Sequence, residues 1–283
     1  MRDTAEGYIV LAKMQLLGLD VGFSAVKATS GVATLTEGTC AVGRATATVA
    51  GRSKLLSRLS MAAVVAVDAP LLPMSDLCIR SCERLFARGQ FQRRCKAGFS
   101  HIKGTGLELR GAGSETAMQL EYLTSVDPLA TAFPLVLAPR NLVEAFPNAF
   151  LGVCASAEQY ACMPTLRRGQ KFDWLYGEWC RTGRFKLLVK ELDSVLPECF
   201  ASRCESNRNH EERAALVCLA TAACVASGRY TAVGEPVGGY FFLPPWSTWA
   251  DWSRTELNVQ RHADTAVTVW IDGVAFPNGK KLP

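Results

Sequence analysis

The sequence predicts an α/β fold, and three observations carry that reading. The first is a set of short alternating segments in the opening 49 residues, beginning with MQLLGLD (residues 14–20), an apolar run that ends on an acid. Alternation at period two marks strands with one covered face, so this region reads as a three-stranded antiparallel meander. The second is AAVVAV (residues 62–67), continuous and rich in valine. A strand covered on both faces looks like this, as in the parallel part of an α/β sheet. The third is the recurrence of Phe185, Leu188, Val189, Leu192, Val195 and Leu196, which is an amphipathic helix.

The elements follow in order. After the strand ending at Asp20, residues 24–29 and 32–37 read as strands joined at Ser30-Gly31, and residues 40–49 as another. Residues 52–59 suit a short helix. The valine-rich strand ends at Asp68-Ala69-Pro70. Ser75 then reads as an N-cap, with Cys78, Ile79, Cys82, Leu85 and Phe86 at helical spacing and Gly89 as the stop. Residues 90–113 are polar, basic and glycine-rich and read as a mobile loop, with a helix over residues 114–124 beyond it. LVEAF (residues 142–146) is a short strand stopped by Pro147. Asn209 can cap a long helix whose first turn holds Glu211 and Glu212, where the helix dipole favours anions. That helix is apolar nearly all round and stops at Gly228. A terminal hairpin over residues 265 onward turns at Asp272-Gly273. The division expected is a domain over residues 1–245 and a C-terminal extension over residues 246–283 packed on it.

A chain of 283 residues can bury a sizeable core. Its 49% hydrophobic and 20% charged residues exclude a disordered, collagen-like or coiled-coil chain. The 31 Lys and Arg against 26 Asp and Glu give +5, a mild basicity that permits nucleic acid as a partner without requiring it. No apolar run is long enough for a membrane span, and residues 8–12 are too short for a signal-peptide core, so a cytoplasmic protein is expected. Eleven scattered cysteines, an odd number, read as buried thiols rather than a disulfide framework. Cys78, Cys82, Cys95 and His101 come nearest to a zinc pattern but contain no CxxC pair. The oligomeric state is open.

Three acids sit where strands end. Asp20 closes the first strand, Asp68 closes the valine-rich strand, and Glu144 lies within LVEAF. A carboxylate among apolar residues is costly to desolvate unless paired or metal-bound. The carboxyl ends of parallel strands face a common crevice. Converging carboxylates there would suit Mg²⁺ or Mn²⁺, which take oxygen ligands. Two such ions can clamp the attacking and leaving oxygens of a phosphodiester displacement. The alternative for each acid is a turn former or helix cap.

The blocks LLGLDVG (16–22), VVAVDAPL (64–71), RSCE (80–83), LVEAFPNAF (142–150), ERAALVCLATAACVASG (212–228) and GEPVGGYFFLPP (234–245) resemble the domain-of-unknown-function family 429. The likeness runs in order over roughly residues 14–245. It implies an RNase H-like fold, a mixed five-stranded sheet of three antiparallel then two parallel strands with crossover helices, and nuclease activity. It also implies that Asp20, Asp68 and Glu144 are the catalytic and metal-holding acids. The family's late helix carries an Asp where this chain has Ala214, and Glu211, one helical turn earlier, is the candidate metal ligand in its place.

The substrate-binding candidates are Lys27, Arg80, Arg94 and Lys103. Arg80 can contact a phosphate, orient a site carboxylate, or simply pair with Glu83 at i,i+3 spacing on a surface. Arg94 and Lys103, with Arg93, Lys96 and Arg110, belong to the basic loop, which can gather a nucleic-acid backbone or merely be solvated. His101 or His210 can serve as a proton shuttle or lie idle at the surface. Trp246, Trp249 and Trp252 can stack bases or cover a core edge. The expected function is a divalent-metal-dependent nuclease in which Asp20 and Asp68 hold the main ion, Glu144 completes a shell, and an activated water attacks in line. One alternative is a catalytically impaired nucleic-acid-binding module. Another is a phosphotransferase, because residues 20–27, DVGFSAVK, also resemble the first phosphate loop of the sugar-kinase, Hsp70 and actin superfamily.

Overall fold

The computed structural model describes residues 15–56, 62–71, 79–95, 98–101, 104–120, 141–167 and 169–283. Strand β1 (Leu16–Asp20) pairs antiparallel with β2 (Ser30–Thr36), which pairs antiparallel with β3 (Thr39–Ala45). The β2–β3 turn is made by Glu37 and Gly38, both at positive φ, the geometry that matches strand twist in a two-residue hairpin. Helix α1 (Val49–Leu56) leads to β4 (Val64–Asp68), which lies parallel to β1 on the side away from β2. Helices α2 (Ser81–Phe86), α3 (Gly89–Cys95) and α4 (Thr105–Leu120) precede β5 (Asn141–Ala145), parallel to β4.

Helices α5 (Pro147–Gly152), α6 (Ala157–Ala161), α7 (Gln170–Arg181), α8 (Arg184–Glu191), α9 (Glu198–Ser206) and α10 (His210–Ala226) follow. The hairpin of β6 (Thr231–Glu235) and β7 (Gly239–Leu243) then sets β7 parallel to β5. Helix α11 (Asp251–His262) precedes β8 (Thr268–Ile271) and β9 (Val274–Pro277). Among the described residues one mixed sheet of nine strands results, in the order β3-β2-β1-β4-β5-β7-β6-β8-β9. The five-stranded expectation therefore undercounts the sheet. The terminal hairpin forms as expected, with Asp272 and Gly273 at positive φ, and it extends the main sheet through β8 against β6.

Two cores sandwich the strands, because side chains alternate across a sheet. Leu17, Leu19, Val65, Val67 and Leu142 face one cluster, closed by Ala117 and Leu120 of α4. Leu16, Ala66, Val143 and Ala145 face the other, which includes most of α10. Glycine sets how closely α10 lies on that second face. A Cβ on Gly18 would stand 2.1 Å from the Leu219 backbone nitrogen, and one on Gly31 would stand 2.0 Å from the Glu211 carbonyl oxygen. Only a residue without a side chain admits the helix backbone there. Asn209 caps α10, its side-chain oxygen accepting from the Glu212 backbone N–H at 3.1 Å.

Several local expectations are overturned. Residues 24–29 are a bend and not a strand, because Ser24 Oγ accepts from the Val26 and Lys27 backbone N–H groups. Such local side-chain bonds compete with a ladder. The supposed basic loop over residues 90–113 is largely helical, with α3 and the first half of α4 inside it. Helix α2 is described from Ser81, with Arg80 in an extended conformation at its N-cap, so Arg80 precedes the helix rather than lying on it. The Ser75 cap lies outside the described residues, as do Cys78, Lys96 and Lys103. Trp246 and Trp249 are buried, and Trp252 donates from Nε1 to the Ala155 carbonyl; the three cover the core edge.

Candidate acidic site at the carboxyl ends of the strands

Register decides which acids meet. Asp20 is the direct partner of Asp68 across the parallel β1–β4 pair. Adjacent strands are about 4.8 Å apart, and partners point to the same face. By alternation from Gly18, that face is the one α10 covers. Helix α10 starts beside it because Gly31 lets the Glu211 backbone come down onto β2. Burial lifts Asp20 well above the usual carboxylate range, and the negative charges of Asp68 and then Glu211 raise it further. Beneath the pair, burial first and then Asp68 and Asp20 push the Cys218 thiol upward. Among the described residues no ion pair or hydrogen bond engages the side chains of Asp20, Asp68 or Glu211.

Glu144 stands differently. Its register partner is Val67, not Asp68, so its side chain leaves the sheet on the opposite face. There Arg80 holds it with two parallel bonds, Nη1 to Oε2 at 2.6 Å and Nη2 to Oε1 at 2.8 Å. The same guanidinium donates from Nε to Glu83 Oε1 at 2.9 Å and from Nη1 to the Gly238 carbonyl at 3.3 Å. Arg80, Glu83 and Glu144 are all buried. The pairing with Glu83 is thus a buried contact, not a surface pair, and Arg80 faces carboxylates rather than a phosphate. Burial pushes Glu144 up to about 7, with Arg80 holding it back. Asp68 is pushed up to about 7 as well, by burial and then by Glu144, so the two acids sense each other across the rim.

The remaining candidates scatter. Lys27 is exposed on the bend that follows β1. The Arg94 guanidinium lies over the Trp252 and Tyr160 rings, 4.2 and 4.8 Å from their centroids, and serves packing. Arg110 is fully buried on α4, where its charge lowers the Glu144 pKa, so it cannot belong to a solvated basic surface. His210 is exposed with Nδ1 2.9 Å from Asp173. His101 sets its ring edge against Phe99. Ala214, at the position of the expected helix acid, is buried.

The donor set matches a hard cation in kind, with oxygen ligands and, among the described residues, no basic side chain paired with them. In number it falls short. Among the described residues no group of three or more His, Cys, Asp or Glu side chains is gathered closely enough to hold a metal ion. Asp20 and Asp68 offer a two-carboxylate seat, the kind Mg²⁺ completes with waters and substrate phosphate oxygens. The ten described cysteines are free thiols. No helix among the described residues is long and apolar enough to cross a membrane. Compared with known family models, curated proteins and solved structures, the chain matches none.

A cavity of about 260 Å³ opens beside this rim, lined by Asp68, Arg80, Glu83, Ser100, Glu144 and the rings of Phe99, Phe146 and Phe241 among others. Sequence reasoning missed Glu83 and Ser100 as site residues. The i,i+3 spacing of Arg80 and Glu83 was a visible signal for the first; nothing local marks Ser100.

Proposed function

We propose that this protein is a divalent-metal-dependent phosphodiester hydrolase acting on nucleic acid, with Asp20 and Asp68 as the ion-holding pair. The carrying observation is that these two acids stand in register at the ends of adjacent parallel strands, with Glu211 near and, among the described residues, no basic side chain answering them. Such uncompensated charge is costly unless a ligand relieves it. The order β3-β2-β1-β4-β5, antiparallel through β1 and parallel beyond it, supports reading that part of the sheet as an RNase H-like core.

When bound there, Mg²⁺ or Mn²⁺ would neutralise a phosphate and lower the pKa of a water. Asp20 and Asp68 supply oxygens from a rigid sheet edge, and Glu211 adds negative charge from the first turn of α10. Asp68 keeps a proton up to about pH 7 without the ion, so cation uptake releases protons and strengthens as pH rises. Lys27, exposed on the bend after Asp20, is the basic side chain this reading assigns to a phosphate. Glu144 is not a ligand in this reading, because Arg80 occupies both of its oxygens.

The test is titration calorimetry with Mn²⁺, alongside cleavage of DNA, RNA and hybrid substrates. Uptake and cleavage should both vanish in Asp20→Asn. Absence of Mn²⁺ uptake by the wild type at pH 8 would refute the proposal. Ala214 and the lack of a three-ligand cluster favour a second reading, a nucleic-acid-binding module without hydrolysis. Nucleic-acid binding without cleavage or Mn²⁺ uptake would select it.

A further inference from the structure

A cluster of thiols lies where α9 packs against the edge strand β3. It is at the opposite end of the strands from the acidic rim. Cys40 pairs with Leu35 and Leu35 with Leu16, whereas Asp20 pairs with Gly31. Cys40 on β3, Cys199 and Cys204 on α9 and Cys180 on α7 are all free thiols. Their access differs. Cys199 is exposed, Cys180 is half-buried, and Cys40 and Cys204 are buried. A small oxidant arriving from solution therefore meets Cys199 first.

Cys199 points at β3. Its thiol donates to the Gly38 carbonyl at 3.3 Å, a contact between residues 161 positions apart in the chain. Cys40 follows two residues after Gly38, about 7 Å along an extended strand. Arg203 stands one helical turn after Cys199, on the same face of α9. Both residues act on Cys40. Burial and then the charge of Cys199 push the Cys40 thiol up to about 12, with the Arg203 guanidinium pulling it back. The face of α9 that carries Cys199 is thus the one turned to Cys40. Cys204, five residues on and about 140° round the helix, does not share that face.

We propose that Cys199 and Cys40 are a dithiol pair that exchanges with low-molecular-weight disulfides and closes a reversible bridge between α9 and β3. The Cys199 thiolate attacks one sulfur of the small disulfide, forms a mixed disulfide and expels one small thiol. Cys40 then attacks the Cys199 sulfur, the Cys199–Cys40 bond forms, and the second small thiol leaves. The two protein thiols give up two electrons and two protons, and the small disulfide takes up both. The order of attack follows from burial. Cys40 holds its proton at neutral pH and does not start the exchange. Capping Cys199 removes the neighbouring charge that raises Cys40, and Arg203 remains to favour the Cys40 thiolate. In a reducing compartment such a bridge is a transient sensor of redox poise, not a permanent staple.

The experiment incubates the reduced full chain with oxidised glutathione, blocks the remaining thiols with N-ethylmaleimide, and maps the peptides by mass spectrometry without reduction. Cys40 and Cys199 should appear in one linked pair that carries no glutathione, and dithiothreitol should return both as thiols. Cys199→Ser changes an exposed position, so the variant should fold as the wild type does and keep Cys40 as a free thiol. Cys40→Ser should leave glutathione stranded on Cys199. The bridge closes a long loop, so the oxidised wild type should melt about 5 °C above the reduced form, a difference absent from Cys199→Ser. A lasting glutathione adduct on Cys199 beside a free Cys40 in the wild type would overturn the proposal. So would a link from Cys40 to any other cysteine, or oxidation of Cys40 that persists in Cys199→Ser.

Discussion

Arg80→Met is the most informative perturbation of the scaffold behind the rim. It keeps the unbranched stem out to about the position of Nε and removes the charge that Glu83 and Glu144 share. Arg80 is 1% exposed, and Glu144 and Glu83 are 5% and 2% exposed, so the lost partner leaves two buried carboxyls without their counter-charge. Deleting one member of a buried ion pair costs about 3–5 kcal/mol. For a chain of this size that corresponds to a drop of about 10 °C in the thermal midpoint. The loss also has a pH signature. Glu144 sits at about 7 in the fold against a usual 4.5, a difference of about 3 kcal/mol between its protonation states. The folded state binds the extra proton between those values, so this residue favours folding most below 4.5 and loses that advantage as pH rises through about 7. Without Arg80 the downward pull that remains is the lesser one of Arg110, and the decline extends to higher pH. Urea unfolding followed by tryptophan fluorescence should therefore show a larger gap between wild type and variant at pH 8 than at pH 5. A gap under about 1 kcal/mol at pH 8, or one equal at both pH values, would refute the clamp.

Three further outcomes follow from the same contacts. Asp20→Asn should raise stability at neutral pH by about 1 kcal/mol, because it removes the burial and like-charge penalty on the carboxyl; a thermal melt checks the sign. Gly31→Ala should cost at least about 1–3 kcal/mol, since its Cβ would stand 2.0 Å from the Glu211 carbonyl oxygen, and it should weaken Mn²⁺ uptake by moving Glu211; calorimetry on the folded variant reads both. Asn209→Ala should cost about 1 kcal/mol in urea unfolding through loss of the α10 cap.

The sequence by itself determined the parts of this protein that depend on local pattern. Valine content and the acid at its end marked β4, period-two alternation marked the opening antiparallel strands, and Asn209 and Gly228 bounded α10. The terminal hairpin was legible in Asp272-Gly273. These signals lie within a few residues of the structure they dictate. The bend at Ser24 defeated the same reasoning, because alternation over residues 24–29 says nothing of a hydroxyl that bonds its own backbone. The helices inside residues 90–113 were hidden by glycine and charge, and burial of Phe91 and Arg110 overrode that composition.

Only the tertiary structure decided which acids share a face. Asp20, Asp68 and Glu144 look equivalent along the chain, each an acid at a strand end. A register offset of one residue on β5 sends Glu144 to the far side of the sheet, into the grip of Arg80, 64 residues away. The same long-range packing brings Glu211 near Asp20 and sets Ser100 beside Glu83. Side-chain period fixes alternation within a strand, but the pairing between strands fixes phase, and phase is a property of the assembled sheet.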